Sequence, residues 1–387
     1  MKILITNAVP LNGGDEAILR AAHSALMKRW PHAQISVLCR NVAQSRALLP
    51  DLDLAPDLDA PAAALRPKFL DKLATRLRRP GIVKHYRAAD IVVSAPGGFL
   101  HDFYPIEERL RGFELALALG KPFVIFAQSI GPFWKPESIR RIREVLNRVT
   151  RICVRDAISR EHLLGCGVED ARIAVTADAA FLWRTLAPEL FQAKSGAALK
   201  VGLCFREWPL RDETAVAATI AKAVALSGEL LREPDRRLVF LSTCQGIPGY
   251  LDDSDLAVRV VAELPPELRA RCEVDHARRN PRDLISALGA CDAFIGMRLH
   301  ACVLAMLGGT PAMGLGYEDK TEGIYRRLGF EKWQVRFDRD ADAWLECARG
   351  FLKSLPQFHA ELAPTLDRAA ALAAHNVDAV ASALPNP

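Results

Sequence analysis

Short apolar runs alternate along this chain with longer stretches whose apolar residues recur at helical spacing, and the alternation predicts strands and helices taking turns. Strands are expected near residues 2–6, 35–39, 90–94, 122–127, 151–154 and 173–176, then near 200–205, 238–242, 272–275, 292–296, 311–315 and 334–337. Strand, helix, strand in regular succession is the pattern of parallel sheets built from βαβ units, so the fold class is α/β. Between Leu186 and Leu199 the pattern lapses into a Pro-, Ala- and Gly-containing stretch. The chain therefore reads as two Rossmann-like lobes, joined near residue 195, with a central cleft. A last segment, about 356–384, is Ala- and Leu-rich and helical, and is expected to pack back across the lobes. The expected division is 1–192, 193–355 and 356–387. There is no repeat of solenoid length and no low-complexity tract.

The 387 residues exceed what one ordinary core organises, in keeping with two lobes. Half are hydrophobic and a quarter charged, the balance of a globular protein. A net charge of +5 is modest at this size and does not describe a dedicated nucleic-acid binder. The nine cysteines are odd in number and scattered, with no C-x-x-C pair, and read as reduced core residues. Met1 leads straight into the strand Lys2-Ile3-Leu4-Ile5-Thr6, without a signal-peptide layout, and no apolar run reaches the roughly 18 residues of a membrane span. The expectation is a cytoplasmic protein, at most peripheral at the inner face of the membrane. Residues 66–87 suggest such a contact, since Arg66, Lys68, Lys72, Arg76, Arg78, Arg79, Lys84 and Arg87 face one acid, Asp71, among apolar residues.

Chemistry gathers where strands end. The run Phe294-Ile295-Gly296-Met297-Arg298-Leu299-His300 delivers an arginine and an imidazole at the start of a helix, an arrangement suited to a small anion. The same residues also read as plain structure, with Arg298 paired to a core carboxylate and His300 capping the helix. Gly97 and Gly98 follow another strand and lead to His101 and Asp102. Gln128 and Ser129 emerge at a third strand tip, and Asn12-Gly13-Gly14-Asp15-Glu16 opens a helix after the first strand. Arg155-Asp156 follows the strand Ile152-Cys153-Val154, where Asp156 suits a helix N-terminus. Arg206 with Trp208, and Lys320 after Gly316-Tyr317-Glu318-Asp319, repeat the theme. Neither glycine cluster matches the dinucleotide fingerprint or the Walker pattern, and no metal-ligand spacing or G-x-S-x-G elbow is present.

Taken in order, these pieces resemble the polysaccharide pyruvyl transferase family. They are Asn12-Gly13-Gly14-Asp15-Glu16-Ala17, Gly97-Gly98-Phe99-Leu100 with Asp102, Gln128-Ser129-Ile130-Gly131-Pro132, Arg155-Asp156 with Ser159, Asp178-Ala179-Ala180-Phe181, Gly296-Met297-Arg298-Leu299-His300, and Gly316-Tyr317 with Lys320. The resemblance spans about residues 5–330 and implies a GT-B-like architecture. It also implies phosphoenolpyruvate as donor, and a sugar hydroxyl pair, free or on a lipid-linked oligosaccharide, as acceptor. The product is then a pyruvate ketal on a cell-surface polysaccharide or its repeat-unit precursor, with the first lobe on the acceptor side and the second on the donor side. It places Arg298, His300 and Arg155 at the donor. Lys320 is expected to offset charge on the departing phosphate. Asn12, Gly13, Gly14, Asp15, Gly97, Gly98, Asp102, Gln128, Ser129, Arg206 and Tyr317 are expected to bind substrate. No metal or organic cofactor is called for, because the donor carries its own leaving group. Two other readings share the scaffold: a glycosyltransferase using a nucleotide-sugar, and a carbohydrate-binding subunit without catalysis.

Overall fold

The apolar runs form two parallel sheets, one in each half of the chain, in a computed structural model that describes residues 1–58, 80–197, 199–208 and 212–384. Contacts divide the chain into two compact units. The first comprises Met1–Leu11, Ile18–Leu182 and the residues from Ala371 onward; the second comprises Asn12–Ala17 and Trp183–Ala370.

In the first unit the strands are β1 (Lys2–Ala8), β2 (Gln34–Cys39), β3 (Asp53–Pro56), β4 (Ile91–Ser94), β5 (Gly97–Leu100), β6 (Phe123–Ile130), β7 (Arg151–Val154) and β8 (Ile173–Val175). Their order is β3-β2-β1-β4-β6-β7-β8, with β5 beside β6. Every residue of β6 is buried, as a central strand covered by helices on both faces requires. β3 and β5 were not expected from the pattern. β3 is a four-residue edge strand carrying Asp53 and Pro56, a place where proline is tolerated. β5 begins with two glycines, and Gly97 adopts φ +147°, which only glycine takes easily, so its sequence reads as a turn.

The second unit holds β9 (Lys200–Cys204), β10 (Arg237–Phe240), β11 (Cys272–Val274), β12 (Ala293–Gly296), β13 (Ala312–Gly316) and β14 (Gln334–Arg336), in the order β11-β10-β9-β12-β13-β14. All were expected within a residue or two. The helix Leu299–Leu307, after β12, has buried residues all round it. It approaches its neighbour Pro281–Gly289 closely, because a Cβ on Gly308 would lie 2.6 Å from the Cα of Gly289. Each sheet winds outward in both directions from an inner strand, leaving a switch point between β1 and β4 in the first unit and between β9 and β12 in the second. In open α/β sheets ligands bind outside the carboxyl ends of the strands at these points.

All nine cysteines are free thiols, seven buried and Cys272 and Cys347 half-buried. Among the described residues no helix is long and apolar enough to cross a membrane. Most of the basic stretch 66–87 lies outside the described residues. Its end, from residue 80, is helical, with Ile82 and Tyr86 buried and Lys84 and Arg87 exposed.

The terminal helix, Leu355–Ala383, is tied into the first unit by one buried side chain. Asn376 Oδ1 accepts the backbone N–H of Ala127 at 3.1 Å and the hydroxyl of Thr176 at 2.8 Å, while its Nδ2 donates to the carbonyls of Ala177 and Ala373. Ala127 needs this outside partner because it sits at φ +48° where the register of β6 shifts against β7. Replacing Asn376 by leucine strands several buried polar groups at once, each costing about 1–3 kcal/mol. Asn376→Leu is therefore expected to lower the urea midpoint of the first unit, and an unchanged midpoint would refute this account of the helix.

Candidate active site

The carboxyl ends of β9, β10, β12 and β13 gather one polar cluster in the second unit. Arg298 is the N-cap residue of the helix after β12, and its guanidinium forms a fork with the carboxylate of Asp253. Nε meets Oδ2 and Nη2 meets Oδ1, both at 2.7 Å. Both side chains are under 10% exposed. Burial alone would lower the pKa of Arg298, but the facing carboxylate outweighs it and holds the group charged, well above its ordinary range. The chain continues backwards: Ser242, after β10, donates its hydroxyl to Asp253 Oδ2, and the Cys204 thiol at the tip of β9 lies 3.3 Å from Ser242 Oγ. Burial pushes the thiols of Cys204 and Cys244 up to about 12, so they remain neutral. The fork uses Nε and Nη2 of Arg298 and leaves Nη1 outside it.

Arg206, after β9, supplies a second buried cation. Its Nη1 donates to the Tyr317 hydroxyl at 2.7 Å, and its guanidinium lies over the rings of Trp208 and Tyr317, with centroid distances of 5.1 and 4.8 Å. Arg206, Arg298 and Asp253 line one small cavity of about 30 Å³, together with Glu207, Asp252 and two leucines. Lys320 sits half-buried at the start of the next helix, 2.6 Å from Glu318 and over the Tyr317 ring, 5.4 Å from its centroid.

The glycine-rich opening of the first helix belongs to this unit. Asn12 Oδ1 accepts the N–H of Gly14 at 2.8 Å, and Gly13 N–H donates to the carbonyl of Thr243 at 2.7 Å. A Cβ on Gly14 would fall 2.6 Å from the Cβ of His300, so glycine here is what lets the imidazole stand against the helix start. Asp15 is half-buried beside them, and Glu16, fully buried, accepts a hydrogen bond from Arg278.

The first unit holds a separate network at the ends of β6, β7 and β8. Arg155 is 1% exposed; its Nε donates to Ser129 Oγ at 2.8 Å and its Nη1 to Asp178 at 2.5 Å. Ser129 in turn donates to Asp156 Oδ2 at 2.6 Å, and Asp156 Oδ1 caps the helix Ala157–Gly165 through the N–H of Ser159. Gln128 donates to Ser94 Oγ and to the carbonyl of Ala95, both at 2.7 Å, which fixes the backbone just before Gly97 and Gly98 at the β1/β4 switch point. Asp102 Oδ2 accepts the N–H groups of Trp134 and Lys135 at 2.7 Å. Burial would raise the Asp102 pKa, but the Ser138 hydroxyl and those two N–H groups more than reverse it, so the carboxyl titrates below its usual range.

Thus His300, Arg298, Arg206, Tyr317, Lys320 and Asn12 to Asp15 fall in the second unit, and Arg155, Gln128, Ser129, Gly97, Gly98 and Asp102 in the first. Sequence reading missed Asp253, the partner of Arg298. Its signal was the doubled acid Asp252-Asp253, of which Asp252 alone caps the helix Asp253–Glu263. Among the described residues no group of three His, Cys, Asp or Glu side chains is placed to hold a metal ion.

Two parallel Rossmann-type sheets with charged groups at their strand ends define a GT-B-like α/β enzyme fold, and solved structures share it. A Listeria monocytogenes protein assigned as a UDP-N-acetylglucosamine 2-epimerase superposes with a TM-score of 0.63 at 15% identity, over 97% of this chain and 94% of that one. Anabaena Alr3699/HepE, in complex with UDP-glucose, gives 0.56 at 14% identity, over 98% and 96%. The family model for polysaccharide pyruvyl transferase matches residues 12–319, and the chain belongs to that family. It is 27% identical over 366 residues to the amylovoran biosynthesis protein AmsJ of Erwinia amylovora, covering 85% of this chain and 86% of that protein. The chain is accordingly a transferase, a polysaccharide pyruvyl transferase, similar to a protein named for amylovoran biosynthesis.

Removing one member of a buried ion pair leaves the other uncompensated, at a cost of about 3–5 kcal/mol. Asp253→Ala is therefore expected to lower the melting temperature of the protein markedly, whereas Asp252→Ala, which loses a helix cap, costs about 1 kcal/mol. Equal melting shifts for the two variants would mean that the fork with Arg298 carries no special weight.

Proposed function

We propose that the protein transfers the pyruvyl group of phosphoenolpyruvate to two hydroxyls of one sugar, forming a pyruvate ketal on a polysaccharide or its repeat-unit precursor. The observation that carries this reading is the placement of Arg206 and Arg298 after β9 and β12, on either side of the switch point of the second sheet, with His300 two residues beyond Arg298. Phosphoenolpyruvate is a small trianion, and guanidinium groups recognise phosphate and carboxylate by directed, charge-assisted hydrogen bonds.

The reaction needs a proton delivered to the methylene carbon of the donor, which leaves the adjacent carbon cationic. One sugar hydroxyl adds there and gives up its proton. Phosphate then departs with the electron pair of its C–O bond, and the second hydroxyl closes the ring. Of the two hydroxyl protons, one replaces that delivered to carbon and the other leaves on phosphate, so the reaction balances without another reactant. His300 is the group suited to carry the proton near neutral pH. Arg298 and Arg206 offer the phosphate and carboxylate fixed positive charge, and Lys320 offsets charge on the leaving phosphate. The second unit is thereby assigned to the donor and the first to the acceptor. Arg155, held by Asp178 and Ser129, fixes the strand ends of the first unit and is retained as a second candidate for the donor. Phosphoenolpyruvate places this activity in the cytoplasm.

The test is incubation of the purified protein with phosphoenolpyruvate and a panel of synthetic and lipid-linked glycosides. Release of phosphate with appearance of a ketal methyl signal is expected; a nucleoside phosphate released from a nucleotide-sugar, with phosphoenolpyruvate untouched, would replace this reading with glycosyl transfer. His300→Ala is expected to fold and to lose about 10²–10⁴-fold in turnover, the usual worth of a proton-transfer group. Activity within a few-fold of wild type would reduce His300 to a helix-start residue. Because arginines supply the positive charge, turnover is expected to survive EDTA, and a loss restored by Mg²⁺ would contradict the assignment.

A further inference from the structure

The first unit carries one feature that its buried network does not use. Phe103, Tyr104 and Trp134 are 55%, 49% and 52% exposed, whereas Phe113, Phe123, Phe126 and Phe181 of the same unit are fully buried. The exposed rings sit together: Phe103 and Trp134 have centroids 5.0 Å apart with planes at 73°, and His101 lies 4.8 Å from Tyr104 and 5.4 Å from Phe103. Their base is fixed. Asp102 takes the N–H groups of Trp134 and Lys135, Lys135 Nζ returns a bond to the Asp102 carbonyl at 3.2 Å, and Asp102 N–H donates to Pro132, tying the loop after β5 to the loop after β6. Large rings held rigidly in water forgo about 25 cal/mol for each Å² of apolar surface they could bury, and a contiguous patch of them marks a contact surface.

We propose that Phe103, Tyr104 and Trp134 form a platform for a pyranose ring of the saccharide acceptor. This rests on the reading of the chain as a transferase acting on sugar hydroxyls. The patch stands at the carboxyl ends of β5 and β6, the end of the sheet where ligands bind in this fold. Sugar rings present C–H groups on their faces and hydroxyls around their rims; aromatic rings cover the first and leave the second in water. Two rings set nearly edge to face make a corner for such a solute, and the Trp N–H and Tyr O–H add polar contacts at its border. Lys135 lies over the Trp134 ring at 5.9 Å and would favour an anionic bilayer as well, the alternative that a vesicle arm distinguishes.

The experiment is saturation-transfer NMR on the full chain with methyl and octyl β-glycosides of glucose, galactose and mannose, comparing wild type with Phe103→Ala and Trp134→Ala after their melting curves are matched. Transfer to ring C–H protons in wild type, reduced several-fold in both variants, is expected. In the turnover assay the same variants should raise the acceptor KM about tenfold, leaving kcat and the KM for phosphoenolpyruvate unchanged, the mark of binding lost equally in ground and transition states. No transfer from wild type, or equal transfer from the variants, overturns the platform. Binding of wild type, but not the variants, to phosphatidylglycerol vesicles without any sugar effect assigns the rings to lipid instead. The NMR arm needs no phosphoenolpyruvate, so loss of the pyruvyl reading and loss of the platform give different results.

Discussion

A guanidinium at the tip of a buried strand must be given partners that hold its charge, and much of this structure follows from that requirement. The desolvation cost of such a charge is several kcal/mol, recovered only where the partner's geometry is close to ideal. Asp178 takes Arg155 and Asp253 takes Arg298, whereas Arg206 is held by the hydroxyl and ring of Tyr317. The partners lie on other elements, so the pairs fasten strand ends to one another. In the second unit the fork fixes the guanidinium plane and points the remaining nitrogen away from Asp253.

The fold was largely legible because parallel strands covered on both faces are apolar throughout, and Phe123–Ile130 or Ala312–Gly316 resemble nothing else. Strands at edges and switch points were less so. Gly97–Leu100 carries the glycines of a turn, and Asp53–Pro56 owes its pairing to β2 more than to its own residues. Arg298 and His300 could be singled out because local sequence shows which residues follow a strand. Asp253 could not, since its pairing with Arg298 is a matter of tertiary placement across 45 positions. The close approach of Gly14 to His300 is likewise invisible until the chain is folded, although both residues were marked separately.

The fold does not by itself say what is transferred. Solved structures at 13–14% identity that carry UDP-sugars share the fold, and that likeness concerns architecture only. What the strand ends of the second unit present is particular to this chain's side chains: two arginines stacked or forked by neighbours, an imidazole against glycine, and a lysine over tyrosine.

The single asparagine in the buried stripe of the terminal helix has a further consequence. Ala369, Ala370, Ala373 and Ala379 are small and nearly interchangeable, and a surface of such residues does not distinguish one rotation of the helix from the next. Each residue turns the helix by about 100°, so a slip of one position would carry Asn376 away from Ala127, Thr176 and Ala177 altogether. Its amide therefore acts as a key as well as a brace, adding directed bonds to the register that the bulkier Leu366, Val377 and Val380 of the same stripe also favour.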